Sequence, residues 1–139
     1  GSLMWLQDLD AWAAVLYRLL ARDARLVLFE GHPAEWLFDV DADGGWVATD
    51  YDYFAGAEAS KGWAPEYIDR LSIDDDDQAW KFARAWTLGE IVTALLGSGL
   101  RVERLAEHPT DWWNGHADVR ADERGRIPLS FSVLARRDD

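Results

Sequence analysis

An α/β architecture is expected from three features of the sequence. Residues 87–109 read as one helix, one turn and one strand. Residues 8–21 carry a helical apolar stripe and lead into an unbroken apolar run at 25–30. Residues 127–136 form a further run of strand type near the end of the chain. A helix feeding a strand through a glycine turn is an α/β unit, and such units pack in layers around one core.

In chain order, the 8–21 helix places Leu9, Trp12, Ala13, Leu16, Leu19 and Leu20 on one face, with Asp8 or Asp10 as its N-cap. Residues 25–30 form a short apolar strand of the kind found at buried central positions. Between 34 and 54 aromatic residues alternate: Trp36, Phe38, then Trp46, Tyr51, Tyr53 and Phe54. Asp43-Gly44-Gly45 in their midst signals a hairpin. Residues 55–73 read as loop, with a short helical turn at 65–71. The acidic run 74–77 reads as a solvated face that also suits the start of a helix over 76–85, because anions favour that end. Thr87 and Glu90 make a capping box, and Leu88, Ile91, Val92, Leu95 and Leu96 follow at helical spacing. Gly97 and Gly99 supply the left-handed geometry that ends this helix. Leu100, Val102 and Leu105 begin a strand over 100–107, which Pro109 closes. Residues 110–126 are a long polar connection, and 127–136 the last strand, antiparallel to 100–107.

The 139 residues read as a single domain with enough chain for a core, and nine Trp with 49% hydrophobic residues exclude disorder. A formal net charge of −12 argues against nucleic acid and anionic membrane surfaces as partners. No cysteine is present, so neither disulfides nor thiolate chemistry arise. No apolar run reaches a membrane span of about 18 residues, and no signal peptide is visible, which leaves the cytoplasm as the expected location. Gly1-Ser2 reads as a cloning scar, and Met4 as either a start or an internal residue.

The same segments resemble class I S-adenosylmethionine-dependent methyltransferases, nearest to the bacterial small-molecule, ubiquinone/menaquinone C-methyltransferase-like group. MWLQDLDAW (4–12) resembles that family's Trp-Leu-Pro-Asp-Leu-x-x-Trp segment after the fourth strand. RLVLFEGHP (25–33) resembles its fifth strand, residues 87–109 its last helix and following strand, and IPLSFSVLAR (127–136) its closing strand. The resemblance implies a partial Rossmann-like sheet of three core strands, ordered 25–30, 127–135, 100–107 with the last two antiparallel. Helices would pack on its faces, and residues 34–73 would be an inserted hairpin and loop over the substrate side. The sequence departs from the family at Arg22-Asp23-Ala24, where Pro-Gly-Gly is usual, and at Trp86, where His is common before the helix cap. The family's cofactor half, with its glycine-rich loop and ribose-binding acid, has no counterpart here. The resemblance therefore implies the C-terminal half of such an enzyme, binding no S-adenosylmethionine by itself although the complete family fold uses it.

Candidate site residues are weighed against simpler roles. Asp39, Asp41, Asp43, Gly44 and Asp50 match positions 1, 3, 5, 6 and 12 of an EF-hand loop. Their flanks read as strands, however, and an acidic hairpin turn explains the same residues, so no metal is expected. Glu30, His32, Glu107, His108 and His116 could converge on a metal or serve as an acid/base pair if two strand ends adjoin. Equally, each Glu could cap loop amides while His and Pro fix a turn. The resemblance puts strand ends on this side toward the methyl acceptor, which favours Glu30 and His32. The aromatic set Trp36, Trp46, Tyr51, Tyr53, Phe54, Trp63, Trp80, Trp86, Trp112 and Trp113 divides between core and pocket or interface. The expected pocket residues are Glu30, His32, Trp36, Tyr53, Trp86, Glu107 and His108; no catalytic residue is assigned.

Three roles follow: a methyltransferase portion inactive alone, a truncated homologue reused to bind an apolar or aromatic small molecule, or an assembly partner. The open edge of strand 25–30 leads us to expect a homodimer or higher oligomer.

Overall fold

The computed structural model describes residues 1–62, 73–74, 77–110 and 115–138. Its main sheet has the strand order β1-β7-β6, with β1 at Arg25–Gly31, β7 at Ser130–Arg136 and β6 at Arg101–His108. β7 runs antiparallel to both neighbours. Helices α1 (Leu9–Leu19) and α2 (Leu88–Gly97) pack against it. The expected strand order and the antiparallel last pair are both present.

One cluster forms the core. β7 alternates, and Phe131, Val133 and Ala135 face inward with Leu28 of β1. Leu9 and Ala13 of α1 and Ile91, Ala94 and Leu95 of α2 close over them. Both helices thus cover the same face of the sheet, rather than one face each. The opposite face leaves Val27 73% exposed. β1 is therefore a half-covered edge strand, not a buried central one: its residues alternate between core and solvent, and its outer edge has no partner among the described residues.

Local chemistry explains the helix ends. Asp8 accepts the Ala11 amide at 2.8 Å and caps α1. Thr87 and Glu90 form the full reciprocal capping box. At the other end of α2 the Gly99 amide bonds the Leu96 carbonyl, and Leu100 reaches back to Leu95. Those two bonds make a Schellman turn around Gly99, at φ +96°. Gly97 is the last helical residue and does not take left-handed geometry. Leu19 and Leu96, counted on the apolar stripes, point to solvent, and Ala94 takes the inward place instead.

β2 (Phe38–Val40) and β3 (Trp46–Ala48) form the expected hairpin, shorter than 36–54 because a 3-10 turn occupies Pro33–Leu37. Gly44 takes φ +78° in its turn, and its carbonyl accepts the Arg120 amide at 2.8 Å. Two expectations fail nearby. β4 (Glu58–Ser60) lies where loop was expected, and pairs with β5 (Lys81–Ala83), where a helix over 76–85 was expected. Alternation in Trp80, Phe82 and the more buried Lys81 and Ala83 suits a strand, and long-range pairing overrides the acidic helix-start signal. The helical turn at 65–71 and residues Trp63, Trp112 and Trp113 lie outside the described residues.

Candidate functional site

A cavity of about 370 Å³ opens beside the C-terminal end of β1. Glu30 and Gly31 from β1, Phe131 from β7 and Ile91 from α2 border it. Trp36 comes from the Pro33–Leu37 turn, and Arg84 and Trp86 from the stretch between β5 and α2. Leu3 and Met4 close it from the N-terminal side.

Trp86, Arg84 and Trp36 are each held by a contact made elsewhere. The Trp86 indole donates to the Leu6 carbonyl at 3.0 Å, and the Arg84 guanidinium lies 3.7 Å from the ring centroid. Arg84 also pairs with Glu90, so the α2 capping box is tied to the cavity rim. Trp36 packs on Tyr51, with 5.2 Å between centroids, and its carbonyl accepts the Thr49 hydroxyl at 2.8 Å. The Tyr51 hydroxyl is pushed upward in pKa, chiefly by burial, and accepts the Ala85 amide.

Glu30 is 6% exposed. Its carboxylate accepts the Ser2 amide at 2.9 and 3.0 Å and the Ser2 hydroxyl at 2.6 Å. The Gly1 amino group lies 3.2 Å away. Burial pushes the carboxyl pKa up, but these donors outweigh it and the result lies below the ordinary value.

His32, 4% exposed, stands behind the cavity wall rather than in it. Its Nδ1 accepts the Ala34 amide at 3.1 Å. An amide can only donate, so Nε2 carries the hydrogen, which points to Glu107 Oε1 at 2.9 Å. Burial holds the imidazole below its usual pKa, against the opposing pull of Glu107. With both nitrogens engaged, His32 fixes the turn that carries Trp36.

The seven expected pocket residues therefore separate. Glu30, Trp36 and Trp86 line one cavity. His32 and Glu107 form a pair across β7, possible because His32 lies past the end of β1 and edge-on to Phe131. His108 hydrogen-bonds the Ser132 hydroxyl at 2.9 Å on the other face of the sheet. Tyr53 packs on Phe54, apart from the cavity. Arg84 and Met4 were not anticipated; the link between the Arg84 amide and the Met4 carbonyl is long-range and leaves no local pattern.

Among the described residues no group of three or more His, Asp and Glu side chains is placed to hold a metal ion. In the Asp39–Asp50 stretch, Asp41 turns its carboxylate onto the Asp43 and Gly45 amides. The resemblance associates its cofactor with a glycine-rich loop between a strand and a helix, and the two helices here start differently. α1 and α2 begin at Asp8 and Thr87, and neither is entered from a strand through a glycine loop. The glycines with positive φ lie at a hairpin turn, after β4, at a helix end and in the 115–126 connection. No helix among the described residues is long and apolar enough to cross a membrane.

The sequence matches no protein-family model and no curated protein. Its structure is similar to that of an S-adenosylmethionine dependent methyltransferase from Mesorhizobium loti, with a TM-score of 0.56 at 20% identity. The alignment covers 98% of this chain and 58% of that one. A protein of Listeria monocytogenes described as an S-adenosylmethionine dependent methyltransferase aligns with a TM-score of 0.62 at 16% identity, over 99% of this chain and 58% of its own. The fold is one found in S-adenosylmethionine-dependent methyltransferases. This chain spans 58% of the length of each of these two neighbours, so a partial methyltransferase fold fits.

Proposed function

We propose that this chain is the substrate-side, C-terminal portion of a small-molecule methyltransferase of the ubiquinone/menaquinone C-methyltransferase-like kind, unable to transfer a methyl group alone. The cavity lined by Glu30, Trp36 and Trp86 is the observation that supports this most. In open α/β sheets ligands bind outside the carboxyl ends of strands, and the cavity lies at that end of β1. On this reading β1-β7-β6 is the closing part of a larger Rossmann-like sheet, and S-adenosylmethionine is held by residues this chain does not supply. A cytoplasmic location belongs to the same proposal.

Two-dimensional NMR of the Trp36 and Trp86 indole N–H groups tests the cavity. Small phenols, quinols and other aromatic molecules should shift both signals, and a cavity indifferent to all of them would contradict the reading.

A second reading, a shortened homologue reused for ligand binding or assembly, draws on a different observation. The outer edge of β1 has no strand partner among the described residues, and Phe29 beside Val27 is also exposed. Pairing of two copies along this edge would cover both.

A further inference from the structure

The cavity holds one buried charge whose partners come only from residues 1 and 2, of which Gly1 itself borders the cavity. Of the charged side chains that border it, Arg84 is answered by Glu90, and Glu35 lies 3.5 Å from His116. Glu30 is different. Its donors among the described residues, namely the Ser2 amide, the Ser2 hydroxyl and the Gly1 amino group, belong to residues 1 and 2. Those two residues lie outside every helix and strand and are exposed. A buried carboxylate without donors is strongly disfavoured, so whatever sits over Glu30 must bring N–H or O–H groups.

We propose that Glu30 is the receptor for a protonated amine, and that the ligand of this cavity is a small molecule carrying a primary ammonium group on an apolar or aromatic body. The inference rests on the reading of the cavity as a small-molecule site and adds the chemical class. Three points converge on it. The carboxylate is engaged on both oxygens by nitrogen donors and by a hydroxyl, the contact set an ammonium with its three N–H groups reproduces. Trp36 and Trp86 give the walls broad aromatic surface, which suits both an apolar body and an adjacent cation. Finally, the Glu30 and Glu35 carboxylates border the cavity against one guanidinium, Arg84, which pairs with Glu90 through Nη2 while its Nε has no hydrogen-bond partner, so an anionic ligand would face more negative than positive side-chain charge. Residues 1 and 2 occupy the amine position in this chain, and a ligand would displace them.

The test uses the full chain and three probes of one shape: 2-phenylethylamine, 2-phenylethanol and 3-phenylpropionate. Binding is read from the Trp36 and Trp86 indole signals, assigned with Trp36→Phe and Trp86→Phe variants. The amine should bind at least about tenfold more tightly than the alcohol, and the acid not measurably. The Ser2 amide signal should move toward an unstructured position as the amine enters. Glu30→Gln should erase the preference for amine over alcohol, and Glu30→Asp should keep part of it. Equal binding of amine and alcohol, or an amine preference that survives in Glu30→Gln, overturns this inference and leaves the cavity as a small-molecule site. Silence from all three probes overturns both. If Glu30→Gln does not fold, the pH profile of the unaltered chain decides. The amine preference should then persist from about pH 8 to 5 and vanish as the carboxyl protonates. A preference that follows no carboxyl titration overturns the inference.

Discussion

The Nε2 of His32 donates to Glu107 at 2.9 Å while its Nδ1 accepts the amide of Ala34, so a single buried imidazole joins the end of β1 to β6. Protonation would put a second hydrogen on Nδ1 and set it against the Ala34 amide. Because burial lowers the folded-state pKa, the unfolded chain binds this proton first as pH falls. Stability contributed by neutral His32 is therefore complete above the ordinary histidine range and is lost progressively as pH falls from there toward the folded pKa. Urea unfolding at pH 7.5 and about pH 5.5 should show lower stability at the acid value. In His32→Asn that difference should shrink. Glu30, whose pKa is also lowered, adds a separate loss that begins as pH falls into the usual carboxylate range and continues toward its lower folded-state pKa. A profile flat through the histidine range would contradict the assigned tautomer.

Turn and cap geometry give stability predictions. Asp23 takes φ +62° and pairs with Arg136, at the place where the resembling family carries glycine. Asp23→Ala should destabilise by about 1–2 kcal/mol, since it keeps the left-handed strain and loses the local polar contact. Asp23→Gly should change stability by less than about 0.5 kcal/mol, because relief of strain offsets an exposed ion pair and the greater freedom of glycine. Thr87→Ala should remove about 1 kcal/mol through the lost cap of α2. Urea denaturation of the three variants measures all three effects.

Gly44 is a sharper case. A Cβ at this position would stand 2.8 Å from the Asp118 carbonyl, at a φ of +78°. Gly44→Ala should cost more than about 2 kcal/mol by the same unfolding measurement, because left-handed strain and a backbone clash add.

These elements show which parts of the fold local sequence carries. The capping box at Thr87, the glycine ending α2, the Asp43-Gly44-Gly45 turn and the three main strands are all short-range patterns. β4 and β5 were not legible, because three-residue strands hold their shape through pairing between residues far apart in sequence. Glu30, Trp36 and Trp86 were legible as candidates from their types and places. Their meeting with Arg84 and residues 1–4 was not, since it depends on how the N-terminal segment crosses the sheet end. His32 and Glu107 were both marked, but only the structure shows that they bond to each other and not to the cavity.

Assembly is expected through the uncovered edge of β1. Light scattering at low micromolar concentration should give a dimer or larger mass, and Val27→Lys should shift it toward monomer, because Val27 is 73% exposed on that strand. The net charge of −12 opposes association, so the dimer fraction should rise with salt. A monomer mass for the unaltered chain in moderate salt would end the dimer proposal; the hairpin of β2 and β3 folding back over the edge is the rival arrangement.

The central claim is that this chain carries a substrate-side cavity without the means to hold the methyl donor. Isothermal calorimetry with S-adenosylmethionine tests it most directly. Titration into the full chain should give no saturable heat at micromolar ligand, because neither helix start offers the glycine loop and ribose-binding acid such cofactors need. Stoichiometric binding with a micromolar dissociation constant would contradict the claim.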